Sequence, residues 1–160
     1  MKKVKNIPFS ANKEIYILRF SLTTECNLNC IYCYVRKDSR HFSLDLARKI
    51  LDIFLDSPGE EKLLMIYGGE PLLYFNLLKK IIIFSRDTAE KKRKRLIISI
   101  GTNGTLLDDE KINFFKKENV KISLTLDGRK QFHDQARLCQ NKKGSFEEVF
   151  VKIPPILKKI

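Results

Sequence analysis

The sequence is poor in most residues that would tie it to a simple functional class. Its 160 residues include no tryptophan, two methionines, two histidines, five prolines, seven glycines and four cysteines. No low-complexity linker and no short repeat is present. No apolar run reaches the length of about eighteen residues that a membrane-spanning helix needs. The N-terminal stretch "MKKVKNIPFSANKEIYILRF" starts basic but lacks an apolar core and a small-residue cleavage site, so no signal peptide is expected there. A cytoplasmic location is the resulting expectation, and in that compartment clustered thiols favour metal or redox chemistry over disulfides. Acidic residues are also scarce: 19 against 31 lysines and arginines, a net charge of +12. That balance fits a nucleic acid or an acidic partner. Only "KKRKR", Lys91 to Arg95, forms a true basic run, however, and scattered lysines without interleaved aromatics do not build a groove. Nucleic acid is therefore the disfavoured partner.

What is present is an ordinary apolar fraction, 43%, in a chain long enough for one domain with a core. Strand and helix patterns alternate. "EIYILRFSL" (Glu14 to Leu22) reads as a strand by its alternation of apolar and polar residues. "LDLARKILDIFLD" has helical spacing, with Ser43 as its cap and Asp45 in its first turn. "KLLMIY" (Lys62 to Tyr67) is a continuous apolar run, as a strand buried on both faces would be. A helix from about Phe75 into the basic run, the strand "LIISI" (Leu96 to Ile100), the helix "DDEKINFFKKEN" and the strand "VKISLTLD" (Val120 to Asp127) follow. A last helix starts near Ser145, and Pro154 and Pro155 are expected to stop or kink it.

This alternation predicts an α/β fold of parallel β/α units, because parallel strands need crossover helices. Four units are visible. A closed eight-unit barrel needs about 250 residues, so the chain forms either an open sheet or part of a larger barrel. In such folds ligands bind beyond the carboxyl ends of the strands. Each unusual stretch falls there: "TTECNLNCIYCYV" after the first strand, "GGEP" after the second, "GTNGT" after the third and "TLDG" at the end of the fourth. One site at that edge is the expectation.

Cys26, Cys30 and Cys33 are spaced C-x3-C-x2-C. Three thiolates on a tight loop suit three irons of a [4Fe–4S] cube, with the fourth iron open. Structural zinc wants four ligands; Cys139 is remote in sequence, and neither His41 nor His133 completes a familiar zinc spacing. Three structural cysteines under a buried turn are the bland alternative, and zinc the other. No general base stands out, so the catalytic residue is unassigned.

The cysteine spacing with Tyr32 before the last cysteine, then "YGGEPLL", then "ISLTLDGRKQFHDQARLCQNKKGSF", resembles the radical S-adenosylmethionine (SAM) superfamily. The third stretch is similar to the S-x-D-G … HD … R … G-S-F pattern of its peptide- and protein-modifying branch, which includes anaerobic sulfatase-maturating enzymes. The resemblance runs from about Ile15 to Phe146. It implies that Cys26, Cys30 and Cys33 ligate a [4Fe–4S] cluster whose open iron takes the amino and carboxylate groups of SAM. It implies further that Tyr32 lies beside the adenine, and that the backbone of Gly68 and Gly69, with Glu70, meets the SAM ammonium while Pro71 fixes the turn. Asn103 would reach the cofactor, Thr125 stands where relatives have serine, and Arg137 would grip the SAM carboxylate. His133 and Asp134 match the pattern as structural residues, and Cys139 as a bystander.

The implied chemistry is reductive cleavage of SAM to a 5′-deoxyadenosyl radical that abstracts a hydrogen, here from a peptide or protein substrate. An electron donor such as flavodoxin or ferredoxin is a further implied partner. The family core has six β/α units, so residues 1–160 read as its N-terminal part, with the later units and any auxiliary-cluster domain absent and a partner chain as one way to complete the barrel. A noncatalytic cluster- or SAM-binding module and a zinc- or nucleic-acid-binding module are the rival readings.

Overall fold

The computed structural model describes residues 13–38 and 40–159. The expectation of no signal peptide rests mainly on residues 1–12, outside the described residues. Four strands, β1 (Ile17–Thr23), β2 (Glu61–Gly68), β3 (Arg95–Thr102) and β4 (Val120–Leu124), form one sheet in the order β1-β2-β3-β4. All three pairings are parallel, with Phe20 beside Ile66, Ile66 beside Ile100 and Ile100 beside Ile122. Sequential parallel order is that of barrel-type β/α units rather than of a doubly wound sheet, whose strand order reverses.

The crossovers are α1 (Leu44–Asp56), a 3-10 turn (Pro71–Tyr74) running into α2 (Phe75–Lys91), and α3 (Asp109–Lys117). Ser43 caps α1 by accepting the Leu46 N–H, and Asp108 caps α3 by accepting that of Lys111. Leu51, Phe54 and Leu55 of α1 and Leu78, Ile81 and Ile82 of α2 pack on Leu64, Ile66, Ile98 and Ile100 in one core. Burial along β2 alternates: Lys62, Leu64 and Ile66 are buried, and Leu63 and Met65 only half so. Complete burial on both faces, predicted from the unbroken apolar run, is therefore not found. Helices cover one face, and among the described residues nothing of equal depth covers the other.

Two helices differ from expectation. β4 ends at Leu124 because the chain turns away at Asp127, whose N–H bonds the His133 ring, and a short helix α4 (Lys130–Ala136) follows that the sequence pattern did not announce. The helix after Ser145 is α5 (Phe146–Phe150). Pro154 and Pro155 then sit in the first turn of α6 (Ile153–Lys159) and open that helix instead of ending one, since a first turn needs no proline N–H. In the basic run, Lys92 pairs with Asp52 and Asp56, Lys94 bonds the Ser57 and Gly59 carbonyls, and Arg95 pairs with Glu61. Those charges join crossover ends to the sheet. No described helix is long and apolar enough to cross a membrane.

Candidate active site

The cysteine loop leaves β1 and is held from two sides. The Thr23 and Glu25 carbonyls accept the Gly69 and Glu70 N–H groups, both at 2.7 Å. On the far side, the Asn29 and Ile31 N–H groups donate to the Leu138 and Ala136 carbonyls at 2.6 and 2.9 Å. The Lys37 ammonium ties the middle of the loop through the Leu28 carbonyl and the Asn29 amide oxygen. The thiols are free; Cys26 and Cys30 are half-buried and Cys33 is exposed. The Cys26 sulfur accepts the Leu28 N–H at 3.4 Å and the Asn103 side-chain amide at 3.8 Å. Burial pushes the Cys26 and Cys30 thiols up, opposed at Cys26 by the Leu28 N–H and at Cys30 by the Arg137 guanidinium. A bound metal overrides such a penalty, because it deprotonates the thiol it coordinates.

The glycine pair is required by the loop itself. A Cβ on Gly68, whose φ is +141°, would overlap the Thr23 carbonyl, and one on Gly69 would overlap the Glu25 carbonyl. The Gly69 and Glu70 N–H groups are engaged with the loop, and the carbonyls of this turn are acceptors of the kind that suits a cation. Glu70 is buried, and Oε1 accepts the Leu72 N–H and the Thr102 hydroxyl at 3.0 and 2.8 Å while Oε2 accepts the Asn103 N–H at 2.8 Å. Burial pushes its pKa up against those three donors. Pro71 is buried at the start of the 3-10 turn.

Asn103 follows β3. Its amide oxygen accepts from Thr105, and its NH2 donates to Asn27 at 2.9 Å, which in turn donates to the Thr105 hydroxyl at 2.7 Å. This network joins the β3 turn to the cysteine loop. Thr125 extends β4 by one bond, its N–H donating to the Thr102 carbonyl at 3.2 Å.

The last wall is Tyr32, Asp127 and Arg137. The Tyr32 hydroxyl donates to Asp127 Oδ2 at 2.5 Å, and Arg137 Nε donates to the same oxygen at 2.8 Å. The guanidinium lies over the Tyr32 ring, 5.6 Å from its centroid. Burial, then the bond to Asp127, pushes the Tyr32 pKa up to about 12. Burial works against the Asp127 carboxylate, but Tyr32 and Arg137 outweigh it and hold its pKa below the usual range. The rest of the "HD … R … GSF" stretch supports this wall. His133 is buried and bonds Ser145, and Asp134 accepts the Phe146 N–H at 2.9 Å. A Cβ on Gly144 would overlap Asp134.

These pieces enclose a cavity of about 280 Å³ at the carboxyl end of the sheet. Cys26, Cys30, Cys33, Tyr32, Gly68, Gly69, Asn103, Thr125 and Arg137 line it. Glu70 and Pro71 do not; they stand behind the wall, with Glu70 committed to holding the β2 and β3 turns together. The cavity's lining fits a cluster with an organic cofactor: a thiol wall, carbonyl acceptors for a cation, a guanidinium for a carboxylate and an aromatic face for a base. Sequence reasoning missed Asp127 as a site residue although it quoted "TLDG", and missed Lys37 and Asn27, which carried no signal beyond their place in the loop.

The profile of the radical SAM superfamily matches residues 20–153. A cysteine-type anaerobic sulfatase-maturating enzyme of Clostridium novyi is 29% identical over 150 residues, covering 88% of this chain and 40% of that protein. The serine-type enzyme of Bacteroides thetaiotaomicron is 33% identical, covering 99% and 40%. The solved structure of anSMEcpe with bound AdoMet and a Cp18Cys peptide superposes with a TM-score of 0.82 at 22% identity, over 92% of this chain and 41% of that one. SuiB of Streptococcus suis, bound to its precursor peptide SuiA, gives 0.63 at 17% identity, over 88% and 29%. At these identities the structural likeness shows the fold, an incomplete barrel of parallel β/α units. The chain spans about two fifths of the length of the curated relatives it matches. With a family match over most of its length and the thiol loop, glycine turn and aromatic wall meeting in one cavity, the chain belongs to the radical SAM superfamily.

Proposed function

We propose that this chain is the cofactor-binding, N-terminal part of a radical SAM enzyme that modifies a peptide or protein. The observation that carries the reading is the meeting of Cys26, Cys30 and Cys33 with Gly68, Gly69, Asn103, Thr125 and Arg137 around one cavity beyond the strand ends. In this reading the three thiolates hold the [4Fe–4S] cluster. The Gly68 and Gly69 carbonyls accept from the SAM ammonium, Arg137 takes its carboxylate and Tyr32 lies against its adenine. Glu70 acts through the fold, by fixing the turns on which these groups sit. When bound, the pair of cofactors supplies reductive cleavage of the sulfonium and a 5′-deoxyadenosyl radical for hydrogen abstraction.

The peptide preference rests on the sulfatase-maturating relatives and on the TLDG … HD … R … GSF stretch. The net charge of +12 favours an acidic electron donor such as a flavodoxin or ferredoxin. Among the described residues β4 has a paired neighbour on one side only, so two further β/α units, from elsewhere in a longer chain or from a partner, would extend the sheet there.

The test is EPR of the anaerobically reconstituted, dithionite-reduced chain with and without SAM. A [4Fe–4S]⁺ signal that shifts on adding SAM is the expected result. A signal indifferent to SAM would leave a cluster-binding module with an incomplete pocket. Zinc retained with no cluster would overturn the reading.

A further inference from the structure

Asp127 does not line the cavity, yet two cavity-lining side chains terminate on it. The Tyr32 hydroxyl and Arg137 Nε share its Oδ2, at 2.5 and 2.8 Å. Its backbone is held as well. The Asp127 N–H donates to His133 Nδ1 at 3.2 Å, which makes that nitrogen the acceptor and leaves the ring proton on Nε2. Nε2 then donates to Ser145 Oγ at 3.0 Å, and the Ser145 hydroxyl donates to the Arg137 carbonyl at 2.9 Å. The hydrogen bonds therefore close a ring. From the Asp127 backbone it passes through the buried His133 and Ser145 to the Arg137 backbone, and it returns through the guanidinium to the Asp127 carboxylate.

Such a ring fixes both ends of Arg137, its main chain and its Nε. In the hydrogen bonds among the described residues, Nε is the one guanidinium nitrogen committed to a protein partner. The edge formed by the two terminal nitrogens, which can take a carboxylate through two parallel bonds, stays available on the cavity side. Arg137 is also 12% exposed in its side chain, so a mobile guanidinium is not what the packing allows. The same carboxylate oxygen pins the Tyr32 hydroxyl, and with it the ring over which the guanidinium lies.

We propose that Asp127 is a positioning residue: it presets the Arg137 fork and the Tyr32 ring as two walls of the cavity, so that a ligand bearing a carboxylate and a flat base meets both without reorganising them. The inference rests on the reading of the cavity as the SAM pocket. Preorganisation of this kind raises affinity by removing the ordering that binding would otherwise require. It also explains why a serine, a histidine and an aspartate far from any reacting atom accompany the arginine in one sequence stretch.

The experiment is a double-mutant cycle on the reconstituted chain, with SAM affinity read by calorimetry and cluster content by iron assay. Asp127→Asn keeps the backbone bond to His133 and the side-chain shape, but loses the charge that holds Nε. The expected result is SAM affinity weaker by about tenfold, with iron content at the wild-type level and a thermal midpoint lowered only slightly, by the loss of the Tyr32–Asp127 contribution. Arg137→Gln should weaken SAM binding at least as much, and adding Asp127→Asn to it should cost little more, because Asp127 acts through Arg137. A merely structural role would instead lower the thermal midpoint strongly and give additive losses. Should D127N not fold, Tyr32→Phe, which removes one of the two donors on Oδ2, serves in the same cycle against Arg137→Gln. Wild-type affinity retained in D127N, or full additivity, overturns the inference alone. A wild-type chain that assembles its cluster and does not bind SAM overturns the pocket reading, and the inference with it.

Discussion

Lys62 stands at the amino end of β2 and Glu70 lies two residues beyond its carboxyl end, and both are ionisable side chains with no exposed surface. At the amino end the Lys62 ammonium donates to the Ile15 carbonyl at 2.9 Å, the Ser57 hydroxyl at 2.8 Å and the Pro58 carbonyl at 2.5 Å. At the carboxyl end Glu70 accepts from Leu72, Thr102 and Asn103. The solution is the same with the charge reversed: a buried ion satisfied by three partners, which burial without them would not permit. The surroundings differ. Gly59, near Lys62, faces the Glu14 carboxylate, the far end of a flexible side chain, whereas Gly68 and Gly69 face backbone carbonyls of the cysteine loop. One end of the sheet can adjust and the other cannot. The rigid end is the one with the cavity.

Substitutions at the two ends test this contrast. Gly69→Ala should have the largest effect, a loss of about 3 kcal/mol in urea unfolding together with failure to retain iron on reconstitution. Unchanged stability would show that the loop can give way. Glu70→Ala and Lys62→Met each leave three groups without their partner and should each cost about 2–3 kcal/mol. Iron content separates the two: it should fall in the Glu70 variant, which frees the β2 and β3 turns, and hold in the Lys62 variant. Equal loss in both would erase the distinction between the ends. Gly59→Ala should cost about 1–2 kcal/mol, from its positive φ of +92° more than from the Glu14 carboxylate, and should leave iron content intact.

The smallest effect is a pH dependence. Tyr32 is half exposed, but its hydroxyl is seated on Asp127 and its pKa is raised from 10 to about 12. A folded-state pKa above the unfolded value means that the contribution is fully present below pH 10 and is lost as the pH rises towards 12. Tyr32→Phe should flatten the wild-type decline in stability across that window. An unaltered profile would mean that the hydroxyl is not held on Asp127 in solution.

The strands, their crossover helices and the edge where the site lies were legible in the sequence, because apolar periodicity reports burial and the unusual stretches all follow strands. The pattern left open whether the sheet is open or part of a barrel, and the strand order decides it. The Ser43 cap and the Leu44–Asp56 helix match their sequence reading residue for residue, since capping is a local interaction. The limits are equally physical. An apolar run does not say how many faces are covered, so half-burial of Leu63 and Met65 was not visible in "KLLMIY". Two prolines look alike whether they end a helix or begin one. That a Cβ on Gly68 or Gly69 would overlap a carbonyl of the cysteine loop depends on how two distant segments meet, which the motif alone does not state. Asp127 gains its importance from partners at positions 32 and 137, a separation that no local pattern encodes.

The bonds from Gly69 and Glu70 to the cysteine loop have a consequence for repair. A zinc finger is disordered until its metal arrives, so losing the ion means losing the fold. Here the main chain around Cys26, Cys30 and Cys33 is tied down by the β2 turn and by the segment after α4, neither of which needs a metal. A loop held this way is expected to keep its shape when the irons are stripped. Iron and sulfide added to the stripped protein should then rebuild the cluster without refolding, which circular dichroism before and after reconstitution would check.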